Sequence, residues 1–130
     1  MTGAARDNKA ELTGGTINYA YGGYSQDALA YKNSILLNGA TVNNVIYGGY
    51  SEKAQAHHNK VTVNSGIAGT VYGGFANNWG DAYENQVITY GGTVKSVYGG
   101  SAKNTDAYKN TVTIYGGTVD TVYGGYSFNA

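Results

Sequence analysis

The chain has no cysteine and no proline, and only 12% of its 130 residues are charged. The lack of cysteine excludes a disulfide scaffold, thiolate metal sites and thiol catalysis. Eight basic residues balance eight acidic ones, so no net charge attracts nucleic acid or an anionic membrane. No apolar run of about 18 residues is present, and the sequence therefore predicts no membrane insertion. The abundant residues are glycine, with 21, and tyrosine, with 14.

Two markers repeat along the chain with one period. Tyr-Gly-Gly recurs at intervals of 26, 25, 26 and 25 residues, and an asparagine recurs at intervals of 25, 26, 26 and 25. The tyrosines are Tyr21, Tyr47, Tyr72, Tyr98 and Tyr123, and the asparagines are Asn8, Asn33, Asn59, Asn85 and Asn110. Because two markers share the period, we predict a single repeat domain, 1–130, with units 8–32, 33–58, 59–84, 85–109 and 110–130.

Each unit is predicted to contain about three short β-strands. An alternating run rich in β-branched residues follows each asparagine, and a second such run precedes each Tyr-Gly-Gly. A third short stretch ends in Ala-Tyr just before the next asparagine, as at Tyr31 and Tyr83. Turn residues such as Asn38-Gly39 separate the runs, and no segment shows a sustained helical period.

A strand-only unit of this length has no means of burying its apolar face alone, so the units must stack. A propeller blade needs four strands and about 40 residues, and the L-x-x-L-x-L pattern of leucine-rich repeats is missing. We therefore predict an all-β fold, a right-handed parallel β-helix (β-solenoid) of about five coils of 25–26 residues with three short strands per coil. The glycine pairs are expected at bends or close backbone approaches.

Stacked coils place equivalent residues in columns. The asparagines share parity with buried Val and Ile positions, so they are expected inside, where their amides form a structural ladder. The tyrosines follow a buried Val or Ile and are expected outside, where they either pack on one another or form a glycan-stacking surface. A second, partial aromatic column at Tyr24, Tyr50, Phe75 and Tyr126 is interrupted by Ser101.

No group of residues predicts catalysis, a metal site or a cofactor. The phosphate-binding patterns G-x-x-x-x-G-K-[ST] and G-x-G-x-x-G are missing, as is the acidic residue of calcium-binding repeats. His57 and His58 occupy positions held by Tyr and charged residues in other units, and so look like drifted repeat positions. Asp81 and Asp106 align, but the other units have no acid there. We therefore expect that the protein is not an enzyme.

Units such as Asn85–Gly100 and Asn110–Gly125 resemble the passenger repeats of bacterial autotransporter adhesins. The resemblance implies a β-helix displayed on the cell surface at the outer membrane, or secreted, and we interpret the chain as a segment of a longer exported protein with an added Met1. It implies a structural, adhesive segment that contacts a host or bacterial surface glycan or protein. Two alternatives stay open. One is a glycan-binding module that uses the tyrosines, and the other is a self-assembling fibre unit that associates end to end through unpaired strand edges.

Overall fold

The computed structural model describes residues 3–129, which form fourteen β-strands and no helix. The strands are β1 (Ala5–Arg6), β2 (Lys9–Leu12), β3 (Thr16–Tyr21), β4 (Tyr24–Ser25), β5 (Ala30–Tyr31), β6 (Ser34–Ser51), β7 (Ala56–His57), β8 (Lys60–Ala76), β9 (Ala82–Tyr83), β10 (Gln86–Thr89), β11 (Thr93–Ala102), β12 (Ala107–Tyr108), β13 (Thr111–Ile114) and β14 (Thr118–Ser127). Within that range there is no helix of the length and apolarity that a bilayer crossing requires. Met1, interpreted above as an added residue, and Ala130, the last residue of the fifth unit, lie outside the described residues.

Every strand pairs in parallel with its own equivalent one repeat away. Val87, for example, pairs with Val61 on one side and with Val112 on the other. One sheet has the order β1-β5-β7-β9-β12. The larger sheet has the order β13-β10-β8-β11-β14, and β6 joins it through β8 and carries β2, β3 and β4. The predicted all-β parallel solenoid with about five coils is confirmed.

The number of strands in a coil varies along the stack. The fourth coil, 85–109, has the three separate strands that the sequence predicts, β10, β11 and β12. In the second and third coils the first two predicted strands join into single bent strands, β6 with 18 residues and β8 with 17. The reason lies at the corner, where Asn38 pairs with Ser65 and carries the ladder around the bend.

The core is a narrow column of inward-facing aliphatic side chains. Alternation along each strand directs one parity inward, and those side chains stack coil upon coil. The fully buried aliphatic members are Ile35, Leu37, Val42, Ile46, Val61, Val63, Val71, Val87, Val94 and Val97. Burying one such valine contributes about 2 kcal/mol. A smaller cluster of alanines, Ala56, Ala76, Ala82 and Ala102, fills the space beneath the two-residue strands.

Each coil turns one corner through a residue with a positive φ angle. The residue just before each column asparagine has a φ between 53° and 59°, although none of them is glycine: Asp7, Lys32, His58, Glu84 and Lys109. Such a conformation costs a residue with a side chain about 1–2 kcal/mol. The asparagine that follows this corner then points inward, so the corner positions the asparagine side chains inside the solenoid.

Candidate functional surface

The five asparagines form one column, with hydrogen bonds that all run in the same direction. The Nδ2 of Asn33 donates to Oδ1 of Asn59 at 3.0 Å, and Asn59 donates to Asn85 at the same distance. The backbone N–H of Asn33 donates to the same Oδ1 at 3.0 Å. The second Nδ2 hydrogen of Asn59 reaches the carbonyl oxygen of Ala30 at 2.9 Å. An interior asparagine therefore accepts two hydrogen bonds and donates two from its side chain, which satisfies an amide that is 1% exposed.

The glycine pairs make room for this column and for the neighbouring coil. A Cβ on Gly49 would lie 2.3 Å from Cγ of Asn59, and a Cβ on Gly48 would lie 2.3 Å from the carbonyl oxygen of Gly73. Both glycines lie inside β6, and neither has a positive φ. Of the two roles expected for glycine pairs, the one found in Tyr-Gly-Gly at Tyr47 is therefore close approach rather than a bend.

The tyrosine column, comprising Tyr21, Tyr47, Tyr72, Tyr98 and Tyr123, lies on the outside of the solenoid. Successive rings stack with centroids 5.0, 5.3, 4.7 and 4.8 Å apart and interplanar angles of 6–20°. Because the rings cover one another's faces, a sugar could reach only their outer edges along most of the column. Of these five rings, Tyr21 and Tyr123 each have one face without a parallel ring from residues 3–129 against it.

The second aromatic column packs edge-on against the first. Tyr50, for example, meets Tyr47 at 5.0 Å and 81°. Where Ser101 interrupts the column, Phe128 enters the gap, with its ring 6.4 Å from Phe75 and 4.8 Å from Tyr126. The Ser101 side chain is completely buried, and its Oγ has no hydrogen-bond partner among residues 3–129.

Burial makes Tyr50 and Tyr72, one from each column, weaker acids than a free tyrosine. It raises the pKa of Tyr72 to about 12, and the neighbouring phenols of Tyr98 and Tyr126 act in the same direction. Burial also raises the pKa of Tyr50, and the hydrogen bond that its hydroxyl donates to Oε2 of Glu52, at 3.0 Å, adds to the effect. These two phenols are therefore neutral near pH 7 and act there as packing surfaces and hydrogen-bonding groups.

His57 belongs to a third stack, at the corner formed by Tyr31, His57, Tyr83 and Tyr108. Its ring lies parallel to Tyr31 and Tyr83 at centroid distances of 5.0 and 4.8 Å. Burial lowers the pKa of His57, and the adjacent His58 contributes in the same direction. Nε2 of His58 lies 2.9 Å from Oε2 of Glu84. Among residues 3–129 no cluster of three or more His, Asp or Glu side chains is placed to hold a metal ion.

Two strongly exposed tyrosines lie elsewhere, at the corner between the first two strands of the fourth and fifth coils. Tyr90 and Tyr115 are 55% and 71% exposed and stack at 5.3 Å. Each begins a Tyr-Gly-Gly tripeptide that is not one of the five in the tyrosine column. The second glycine of these two tripeptides, Gly92 or Gly117, has a positive φ. Trp79, at another corner, is 66% exposed. The sequence interpretation passed over the tyrosine pair, although the extra Tyr-Gly-Gly tripeptides were a visible signal.

A shallow groove of about 490 Å³ runs along the outside of the strands that follow the asparagines. Its lining residues are Lys9, Ala10, Glu11, Ser34, Ile35, Leu36, Lys60 and Thr62. None of the tyrosines or asparagines selected from the sequence lines it. The structure thus brings each predicted column together along the solenoid but leaves this groove separate from both.

Comparison with known protein families, characterised proteins and solved structures finds no match for the chain. Its function therefore has to follow from its own geometry. That geometry is a stack of self-similar coils with hydrogen-bonded asparagines inside and aromatic columns outside.

Proposed function

We propose that this chain is a structural and adhesive segment of a bacterial surface-displayed protein, with no catalytic role. The observation that carries the proposal is the asparagine column, in which the same directed contact recurs at each interface between coils. In repeat proteins each unit contacts only its neighbours, so identical interfaces make stability and stiffness propagate along the stack. The resemblance of the repeats to autotransporter adhesin passengers supports placement on the outer surface.

Stiffness follows from columns on both sides of the backbone. The aliphatic core and the asparagines resist sliding of one coil over the next, because a shift would break buried hydrogen bonds. On the outside, the stacked tyrosines resist bending, since bending would separate rings that lie about 5 Å apart. Strands are spaced by about 4.8 Å, so five coils span roughly 24 Å along the axis.

The adhesive part of the proposal rests on Tyr90, Tyr115 and Trp79. Tyrosine and tryptophan are the residues most enriched among the energetically dominant contacts of protein interfaces. All three residues are exposed by more than half. They can therefore contact a surface protein or glycan without disturbing the stack.

The adhesive role can be tested with beads that carry the chain, which are passed over glycan arrays, matrix proteins and host cells. We expect retention of wild-type beads and its loss in the double variant Tyr90→Ser with Tyr115→Ser, at an unchanged thermal midpoint. Retention that survives this double variant would overturn the assignment to the corner pair. The absence of wild-type retention on every surface would overturn adhesion itself.

A glycan-binding module is the second candidate, favoured by the half-exposed outer edges of the tyrosine column. Recognition there would use phenol hydroxyls rather than ring faces, because stacking covers the faces. The variant Tyr98→Phe removes one hydroxyl and keeps the ring. Loss of glycan binding in this variant, with stability preserved, would support the column as the site, whereas unchanged binding would speak against it.

A further inference from the structure

Within residues 3–129, the first and last coils each leave an apolar face uncovered, and the two faces are chemically different from each other. At the carboxyl end, Ile114 and Val122 are 43% and 45% exposed, although their equivalents one coil earlier, Thr89 and Val97, are buried. At the amino end Ile17 is 39% exposed, and its equivalent Val42 is fully buried. No segment within residues 3–129 covers either of these apolar faces.

The last coil carries a glycine, Gly124, that its own surroundings do not require. A Cβ on Gly99 would lie 2.4 Å from the carbonyl oxygen of Gly124, and a Cβ on Gly100 would lie 2.2 Å from Oδ1 of Asn110. At the equivalent positions of the last coil the nearest atoms are much farther away, 3.8 Å for Gly124 and 3.2 Å for Gly125. Gly124 therefore provides clearance that a further coil stacked on this face would use.

The asparagine column ends in donors at one face and in an acceptor at the other. Inside the stack, the backbone N–H and Nδ2 of each asparagine both donate to Oδ1 of the next, as Asn85 does to Asn110. Within residues 3–129 the backbone N–H of Asn110 has no acceptor, and its Nδ2 donates only to the carbonyl of Ala82. Oδ1 of Asn8 receives no hydrogen bond from the same residues. The donors of one face therefore match the acceptor of the other.

The corner residues match in charge as well. In the column of positive-φ residues, the carboxyl end presents Lys109 and the amino end presents Asp7. In the adjacent column the carboxyl end presents the ring of Tyr108, which is 41% exposed, and the amino end presents Arg6. A guanidinium over a tyrosine ring is a favourable cation–π pair. Contact between two carboxyl ends would oppose lysine to lysine, and contact between two amino ends would oppose aspartate to aspartate.

We propose that the carboxyl-terminal coil of one copy stacks on the amino-terminal coil of a second copy, head to tail and in register. Asn110 then donates to Asn8 of the second copy, and Lys109 faces Asp7 of that copy. The apolar face around Val122 is covered by Ala20 and Ile17 of the second copy, which continue its columns. Because the contact joins two different faces, it does not close on itself, and it produces open linear filaments. This assembly does not depend on the proposed adhesive role.

The test is the mass of the purified chain, measured by light scattering and sedimentation over a wide concentration range. For the wild type we expect multiples of 13.6 kDa that grow with concentration. The variant Gly124→Ala places a methyl group where a stacked coil would lie, and the nearest atom to it within residues 3–129 is 3.8 Å away. We expect it to weaken association by about tenfold or more and to leave the thermal midpoint of the dilute chain unchanged.

Two further variants test direction and register. Lys109→Glu should weaken association, and adding Asp7→Lys should restore it, because the opposite charges then meet again in reversed order. Ile17→Lys blocks the amino face with a charge at a position that is already part-exposed. A mixture of Ile17→Lys and Gly124→Ala chains should form a heterodimer and nothing larger, since each retains only one working face.

The proposal fails on any of three results. A constant monomer mass for the wild type would show that a second copy does not occupy the face. Association that Gly124→Ala leaves intact would place the contact elsewhere on the surface. Absence of the heterodimer from the mixture would exclude the head-to-tail arrangement.

Discussion

Gly49 and Asn59 lie so close that no carbon atom fits between them. A Cβ on Gly49 would be 2.3 Å from both Cγ and Oδ1 of Asn59, and three other glycine–asparagine pairs repeat the contact. The second glycine of Tyr-Gly-Gly in one coil is thus the counterpart of the asparagine that begins the next. The two periodic markers of the sequence are two sides of one packing contact.

Gly49→Ala is expected to destabilise the fold by about 2–3 kcal/mol, because the added methyl group must displace a buried, hydrogen-bonded asparagine. Chemical denaturation of both variant and wild type measures the difference. The matched control is Gly125→Ala in the last coil, where the nearest atom would be 3.2 Å away and the change should stay below about 1 kcal/mol. Equal losses in the two variants would contradict the packing explanation.

Asn59→Ala is expected to cost about 3–4 kcal/mol, since it leaves the buried backbone N–H of Asn33 without its acceptor and removes two further buried hydrogen bonds, from Nδ2 of Asn33 and to the carbonyl of Ala30. Asn8→Ala removes an exposed member of the same column and should cost less than about 1 kcal/mol. Thermal unfolding of the two variants checks the contrast. A similar cost at both positions would show that the column contributes little beyond ordinary surface hydrogen bonds.

Ser101→Ala is expected to be neutral or to stabilise the chain by about 1 kcal/mol, because the serine buries a hydroxyl that has no partner among residues 3–129. Ser51 provides the control, since its Oγ donates to the carbonyl of Ala28 at 2.7 Å and accepts from the N–H of Ala54 at 2.9 Å. Ser51→Ala should therefore destabilise by about 1–3 kcal/mol. A clear loss of stability in Ser101→Ala would mean that its hydroxyl is hydrogen-bonded after all.

Acidification is expected to weaken the fold through His57. Burial, and then the neighbouring His58, lower its pKa below the ordinary value of 6.5, with Glu84 opposing and Lys32 reinforcing the shift. The unfolded chain then binds more protons in this range, so the contribution is present above pH 6.5 and is lost as pH falls through the folded-state pKa. Thermal midpoints between pH 8 and pH 5, in steps of about half a unit, would trace this loss.

The variant His57→Tyr isolates that effect, because tyrosine is the residue at the equivalent positions Tyr31, Tyr83 and Tyr108. It keeps a ring in the stack and removes the titrating group. The variant should show a flatter dependence of stability on pH than the wild type. An identical slope in both proteins would assign the pH dependence to other groups.

Three features of the structure were not predicted from the sequence. The corner residues with positive φ, such as His58 and Glu84, carry no glycine signal, so their conformation was not predictable from residue type. The continuous strands β6 and β8 were predicted as separate pieces, since turn residues at Asn38 and Ser65 gave no sign that pairing passes through the corner. The exposure of Tyr90 and Tyr115 was not predicted, because both belong to Tyr-Gly-Gly tripeptides identical in sequence to those of the tyrosine column.

The sequence alone determined the repeat period, the alternation of apolar and polar residues along the strands, and the columns of Asn and Tyr. In a parallel stack, any residue repeated at one coil length must meet its own copy. Tertiary structure decided what each column touches. It turned the tyrosine faces toward one another rather than outward, and it set each glycine against an asparagine of the next coil. It also left one end of the stack rich in donors and the other with an unused acceptor, since hydrogen bonds have a direction that residue spacing does not encode.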